Sequence, residues 1–170
     1  MFFFYPHVPV ADVTGEFGFD NLQEGYDYSI IPQKDQDYKN GVSTLDLILI
    51  QAYILGGNRL ISPYQLIAAD VNNSKSITTL DLIQLRKLIL NIDIRLENNT
   101  SWRFVDADYR FPNPNNPWQG AFPEVKNINN LERSDYANFV AIKLGDVNGS
   151  ATVEGRAATG AFAINTAEQA

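Results

Sequence analysis

The chain has no cysteine and a single histidine, His7, among its 170 residues. Disulfides and thiolate metal sites are therefore excluded, and an imidazole-based zinc cluster cannot be assembled. Any metal must be held by oxygen. Positive charge is also scarce: 13 basic residues against 20 acidic ones leave a net charge of -7, and the basic residues are scattered. The electrostatic footprint of a nucleic-acid binder is missing. Long apolar runs are missing too. The Phe2-Phe3-Phe4-Tyr5 stretch is too short to span a membrane and lacks the basic lead of a signal peptide, so the expectation is a soluble chain without membrane insertion. No nucleophile elbow, phosphate loop or histidine-based dyad occurs. Carboxylates such as Asp106 and Asp108 lie close in sequence, but spacing alone does not set the separation that glycoside hydrolysis needs. A non-catalytic protein is expected.

An internal repeat is present instead. Shifted by 35 positions, residues 42–56 (VSTLDLILIQAYILG) fall on residues 77–91 (ITTLDLIQLRKLILN) with seven identities in fifteen. Apolar residues recur at helical spacing in both copies: Leu45, Ile48, Leu49, Ala52 and Leu55, then Leu80, Ile83 and Leu90, widened by Leu82, Leu85 and Ile89. Two helices are predicted, the second buried over much of its circumference. Gly56-Gly57 would close the first as a left-handed cap, and Ser62-Pro63 would start a short helix over 63–68.

In front of each helix stands a ladder of oxygen-bearing side chains. With Asp70 as position 1, oxygen carriers fall at positions 1 (Asp70), 3 (Asn72), 5 (Ser74), 7 (Ser76), 9 (Thr78) and 12 (Asp81), with Ile77 at position 8. This is the spacing of a twelve-residue calcium loop, whose alternate side chains turn inward and whose position-8 aliphatic pairs with a twin loop. The first copy reads Asp35, Asp37, Lys39, Gly41, Ser43 and Asp46, with Val42 at position 8. Lys39 cannot bind a cation, so Asn40 or a water would take its place and the first site is expected to be weaker or distorted. The expected calcium ligands are Asp35, Asp37, Gly41, Ser43 and Asp46 in one loop, and Asp70, Asn72, Ser74, Ser76 and Asp81 in the other. The alternative is that Ser43 and Thr78 are ordinary helix caps and the acids merely complement the helix dipoles.

A tandem of such loops, each followed by a leucine-rich helix, resembles the dockerin domain over residues 35–92. The resemblance implies calcium-dependent folding in an F-hand arrangement, an extracellular or cell-surface setting, no catalysis, and a cohesin-type partner. Position 6 is Asn40 in one loop and Lys75 in the other where glycine is usual. Positions 10 and 11 are Thr44-Leu45 and Thr79-Leu80, where cellulosomal members carry Ser-Thr. With Arg86 and Lys87, these four form the candidate partner face. The first copy has Gln51-Ala52 opposite Arg86-Lys87, which breaks the symmetry of that face.

Residues 8–32 alternate in strand fashion, through Phe17, Phe19, Tyr26, Tyr28 and Ile30, and resemble the last strands of a carboxypeptidase-regulatory-like or Cna-B-like β-sandwich. Beyond the second helix the composition turns to Asn, Pro and aromatics. Trp102, Phe104, Phe111 and Trp118 are expected to pin an irregular wrap onto the helices, with a carbohydrate platform as the alternative. Asn72, Asn98, Asn99 and Asn148 stand in N-x-[ST] triplets that would permit a glycan. Residues 138–151 read as a strand followed by a third acidic turn, Asp146, Asn148 and Ser150, which is either half a calcium loop or a simple Asx turn.

The expected fold class is α+β: partial β-sandwich strands at 1–33, a dockerin-like helical pair at 34–93, the aromatic wrap and final strand at 94–151, and a flexible tail at 152–170. The expected function is a non-catalytic, calcium-stabilised structural module of an extracellular bacterial protein. In that reading the wrap covers the leucines at 45 and 80, and strand addition builds a fibre of self-associated copies. The alternative is a dockerin anchoring a larger secreted protein to a cohesin-type partner.

Overall fold

The computed structural model describes residues 9–12, 14–57 and 60–152. The N-terminal aromatic run and the expected tail beyond 152 lie outside the described residues. The fold is α+β, as the pattern predicts. In chain order it comprises β1 (Tyr28–Ile30), α1 (Thr44–Ile54), α2 (Pro63–Ala69), α3 (Thr79–Ile89), β2 (Trp102–Asp106), a 3₁₀ turn at Pro117–Gln119, β3 (Lys126–Ile128) and β4 (Phe139–Lys143).

Helices start where the caps dictate. Ser43, Ser62 and Thr78 each accept a hydrogen bond from a backbone N–H of the first turn, and α2 carries Pro63 at its first position. The two repeat helices, α1 and α3, pack against each other. Their buried stripe is not the one the repeat suggests. The core runs through Ile50 of α1 and Leu82, Leu85 and Leu88 of α3, whereas Leu45, Ile48, Leu55, Leu80, Ile83 and Leu90 are exposed. Alternation of leucine and isoleucine all round α1 left the buried face undetermined, and packing against α3 selects it.

The strands form two separate antiparallel pairs. β2 pairs with β4, with Trp102 opposite Lys143 and Asp106 opposite Phe139, and β1 pairs with β3, with Tyr28 opposite Ile128. The expected series of sandwich strands therefore reduces, among the described residues, to β1 and an isolated bridge at Val10. A local turn competes with strand formation there: the Asp12 carboxylate accepts from the N–H of Thr14 and of Glu16 and from the Thr14 hydroxyl. Phe17 and Phe19 pack edge to face and join Leu22 against a small core of Tyr28, Ile30, Ile128 and Leu131.

The aromatic wrap packs on α2, away from the exposed face of α1 and α3. Phe111 meets Tyr64 of α2 edge to face at 5.6 Å and stacks similarly on Tyr109 at 5.0 Å. Arg103 lies over the Phe122 ring at 4.8 Å while its guanidinium grips Glu124 through two bonds of 2.8 and 2.7 Å. The end of β4 enters between α2 and α3. There the Gly145 N–H donates to the Ala68 carbonyl at 2.8 Å, and a Cβ on Gly145 would stand 2.5 Å from Leu85 Cδ1. Glycine at 145 lets the chain pass close to α3 and delivers Asp146 to the first turn of α1.

Candidate functional site

The loop over 70–81 closes around two buried carboxylates. Asp70 is 1 % exposed and Asp81 is fully buried. Asp70 Oδ1 accepts from the Ser74 N–H and Oδ2 from the Lys75 N–H, each at 2.8 Å. Asp81 Oδ2 accepts from the Thr78 N–H at 2.8 Å, completing a capping box, while its Oδ1 accepts from the Asn72 N–H at 3.2 Å. A cap explains only the first of these bonds. The second ties the helix back to the start of the loop and turns both carboxylates towards the same space. Ser74 adds its hydroxyl, which bonds to the Ser76 carbonyl and lies 3.0 Å from the Ser76 hydroxyl. Asn73 and Lys75 adopt left-handed backbone, with φ of 57° and 62°, so the loop makes its sharp turn without the usual glycine.

The charges here are uncompensated. Burial pushes the Asp70 carboxyl above the ordinary carboxylate range; N–H bonds from Lys75 and Ser74 pull it down, and the Asp81 charge pushes it up. Neither acid is in an ion pair among the described residues. A divalent cation would cancel the two charges, and the remaining donors, Asn72, Ser74 and Ser76, are the hard oxygens calcium prefers. The residues present thus fit calcium. Among the described residues no group combines three or more acids, histidines or cysteines, so neutral oxygens would complete the shell.

The first loop is built differently from its sequence. Asp35 is exposed, and its Oδ1 accepts from the Ser101 N–H at 2.8 Å and from the Tyr38 hydroxyl. It pins the segment to the start of β2. Asp37, exposed and at φ 56°, starts a turn in which its carbonyl accepts from the Asn40 N–H at 2.9 Å. Lys39 reaches Asn91 Oδ1 at 2.7 Å. The acids that meet are Asp46, fully buried, and Asp146, 6 % exposed. Asp46 Oδ2 accepts from the Ser43 N–H at 2.9 Å and Oδ1 from the Val147 N–H at 3.0 Å, across 101 positions of chain. Asp146 accepts from the N–H groups of Ser150 at 3.1 Å and Ala151 at 2.7 Å, and the Ser150 hydroxyl donates to the Gly41 carbonyl at 2.9 Å. The structure therefore brings Gly41, Ser43 and Asp46 together with Asp146, Asn148 and Ser150, while Asp35 and Asp37 engage other groups. Sequence reasoning found the half-loop at Asp146, Asn148 and Ser150 but missed its junction with Asp46 and the supports of that junction, Asn40 and Gly145. The identity of DVN-x-S at 70–74 and 146–150 was the signal that could have found it.

The candidate partner face is open. Thr44 and Leu45 of α1 and Thr79, Leu80, Arg86 and Lys87 of α3 are all exposed, and Ile48 and Ile83 extend the face one turn along each helix. The wrap was expected to cover these leucines; it lies instead on α2, because Phe111 and its neighbours find their ring partners there. Among the described residues no helix is long and apolar enough to cross a membrane.

Comparison with known proteins agrees with the loop geometry. Residues 34–90, about a third of the chain, match the family model for the dockerin type I domain. No curated protein and no solved structure matches the chain. Dockerin domains are non-catalytic, calcium-binding modules that dock onto cohesin partners and occur in secreted or cell-surface proteins. The match and the cation-shaped loop together support a dockerin-like domain at residues 34–90.

Proposed function

We propose that this chain serves as a calcium-stabilised docking module, in which the exposed face of α1 and α3 binds a protein partner of the cohesin type outside the cell. The observation that carries this reading is the repeated, uncovered pattern Thr44-Leu45 with Ile48 and Thr79-Leu80 with Ile83, with Leu45 and Leu80 50 % and 60 % exposed. Monomeric proteins rarely leave contiguous apolar surface without a use. Arg86 and Lys87 add positive charge on the α3 side alone, so the two halves of the face are not equivalent. Calcium would be held in the 70–81 loop by Asp70, Asn72, Ser74, Ser76 and Asp81, and would fix the first turn of α3, from which Thr79 and Leu80 project.

The fibre reading rested on a covered face and on strand addition to a sandwich; the open face favours docking. The test is binding of purified cohesin modules to the full chain by biolayer interferometry, with calcium and with chelator. Calcium-dependent binding lost in the Leu45→Asp/Leu80→Asp double variant supports the proposal. Binding that survives the double variant overturns it, as does calcium-dependent assembly of large oligomers without any cohesin binding.

A further inference from the structure

The half-loop at 146–150 repeats the calcium loop at 70–74 with four of five residues identical. Asp146, Val147, Asn148 and Ser150 stand where Asp70, Val71, Asn72 and Ser74 stand, with Gly149 at φ 71° in place of Asn73 at φ 57°. Their bonds correspond. Ser150 and Ala151 donate to the two oxygens of Asp146 as Ser74 and Lys75 do to Asp70. The Asn148 N–H reaches Asp46 Oδ1 at 3.3 Å, as the Asn72 N–H reaches Asp81 Oδ1 at 3.2 Å. The Ser150 hydroxyl donates to the Gly41 carbonyl, as the Ser74 hydroxyl does to the Ser76 carbonyl, and Gly41 and Ser76 both stand at position 7 of their loops. The polypeptide is continuous between the halves in one case and separated by about a hundred residues in the other.

Resting on the calcium reading of loop 70–81, we infer that the chain holds a second calcium ion in a split site formed by Asp46 and the Gly41 carbonyl from one segment and Asp146, Asn148 and Ser150 from the other. A charge argument independent of the loop's shape points the same way. Asp46 and Asp146 are both buried, and neither is in an ion pair among the described residues. Two facing carboxylates out of water repel unless a cation lies between them. Lys143 is close enough to feel both, yet its amine donates to the carbonyls of Tyr38 at 2.8 Å and Leu144 at 3.0 Å. Its charge attracts both acids, but its hydrogen bonds go to backbone and it makes no ion pair with either, so the carboxylate oxygens have no cation in direct contact among the described residues. The ion would clasp the end of the β2–β4 unit onto the first turn of α1, making residues 94–152 part of the calcium-dependent fold.

The test is calcium stoichiometry by titration calorimetry on the full chain, together with hydrogen exchange of the unsubstituted protein with and without calcium. Two ions are expected. Asp70→Ala and Asp146→Ala should each bind one, and Asp35→Ala should still bind two. Calcium should slow exchange at Val147, Asn148, Ser150 and Ala151 as well as at Ser74 and Lys75, a readout that needs no variant to fold. Two ions retained in Asp146→Ala, or protection confined to 70–76, overturns the split site. A single ion lost in Asp70→Ala but kept in Asp146→Ala overturns the split site alone, whereas no calcium bound by the unsubstituted chain overturns the reading of both sites.

Discussion

The side-chain amide of Asn40 holds the backbone of Thr152 from both sides, donating to its carbonyl at 2.6 Å and accepting from its N–H at 3.2 Å. It imitates one rung of a β-ladder and fastens the end of the 146–151 half-loop to the segment that enters α1. Removing both bonds in Asn40→Ala should destabilise the fold by about 1–2 kcal/mol. Urea denaturation reads this, and an unchanged midpoint would show that the two segments are held without the clamp.

Gly41 and Gly56 make a controlled pair. Both have left-handed backbone, with φ of 73° and 71°, so alanine strains either one. A Cβ at Gly41 would also meet the Ala151 nitrogen at 2.5 Å and Asp146 Oδ2 at 2.6 Å, whereas at Gly56 it would meet nothing within 4 Å. Gly56→Ala should cost about 1 kcal/mol and leave calcium binding unchanged. Gly41→Ala should cost more and weaken calcium binding at the proposed split site. Equal melting temperatures for the two variants would contradict this.

Calcium should act as a folding ligand. An ion that binds only the native state at a hundred times its Kd adds about 2.7 kcal/mol per site. Chelator should therefore lower Tm, and Asp81→Ala should lose its share of the calcium-induced rise. Equal Tm shifts on adding calcium to Asp81→Ala and to the unsubstituted chain would remove Asp81 from the site.

Two groups set the alkaline behaviour in chelator. Burial pushes the Lys143 amine down to about 8, so between pH 8 and 10.5 the unfolded chain holds the extra proton and stability rises with pH. Burial, then the hydrogen bond to Asp35, pushes the Tyr38 phenol up to about 12, so from pH 10 to 12 the native state holds the extra proton and stability falls. A maximum near about pH 10 is expected from these opposing linkages. Lys143→Met should abolish the rise and Tyr38→Phe should lessen the fall, to which Lys126, held above the ordinary lysine range by its hydrogen bond to Asp108, also contributes; chemical denaturation across that range reads both.

The exposed face should be replaceable without harm to the fold. Leu45→Ser and Leu80→Ser, at positions already in solvent, should change stability by no more than about 0.5 kcal/mol. A larger loss would mean that these leucines pack rather than dock.

The sequence by itself determined the local devices: the capped starts of α1 and α3, the 70–81 loop and the α+β class. Each depends on residues within about a dozen positions of one another, where spacing and cap chemistry leave few conformations. Asp70 and Asp81 meet because eleven positions of turn and helix start bring them together. Only the tertiary structure decided which partner Asp46 takes. Asp35 has the expected spacing, yet Ser101 and Tyr38 claim it, while β4 and Gly145 carry Asp146 into its place. It also decided which side of α1 is buried, because a helix apolar all round has no preferred face until α3 packs against it. Pairings made across a hundred residues depend on loop closure and packing, which no local pattern records.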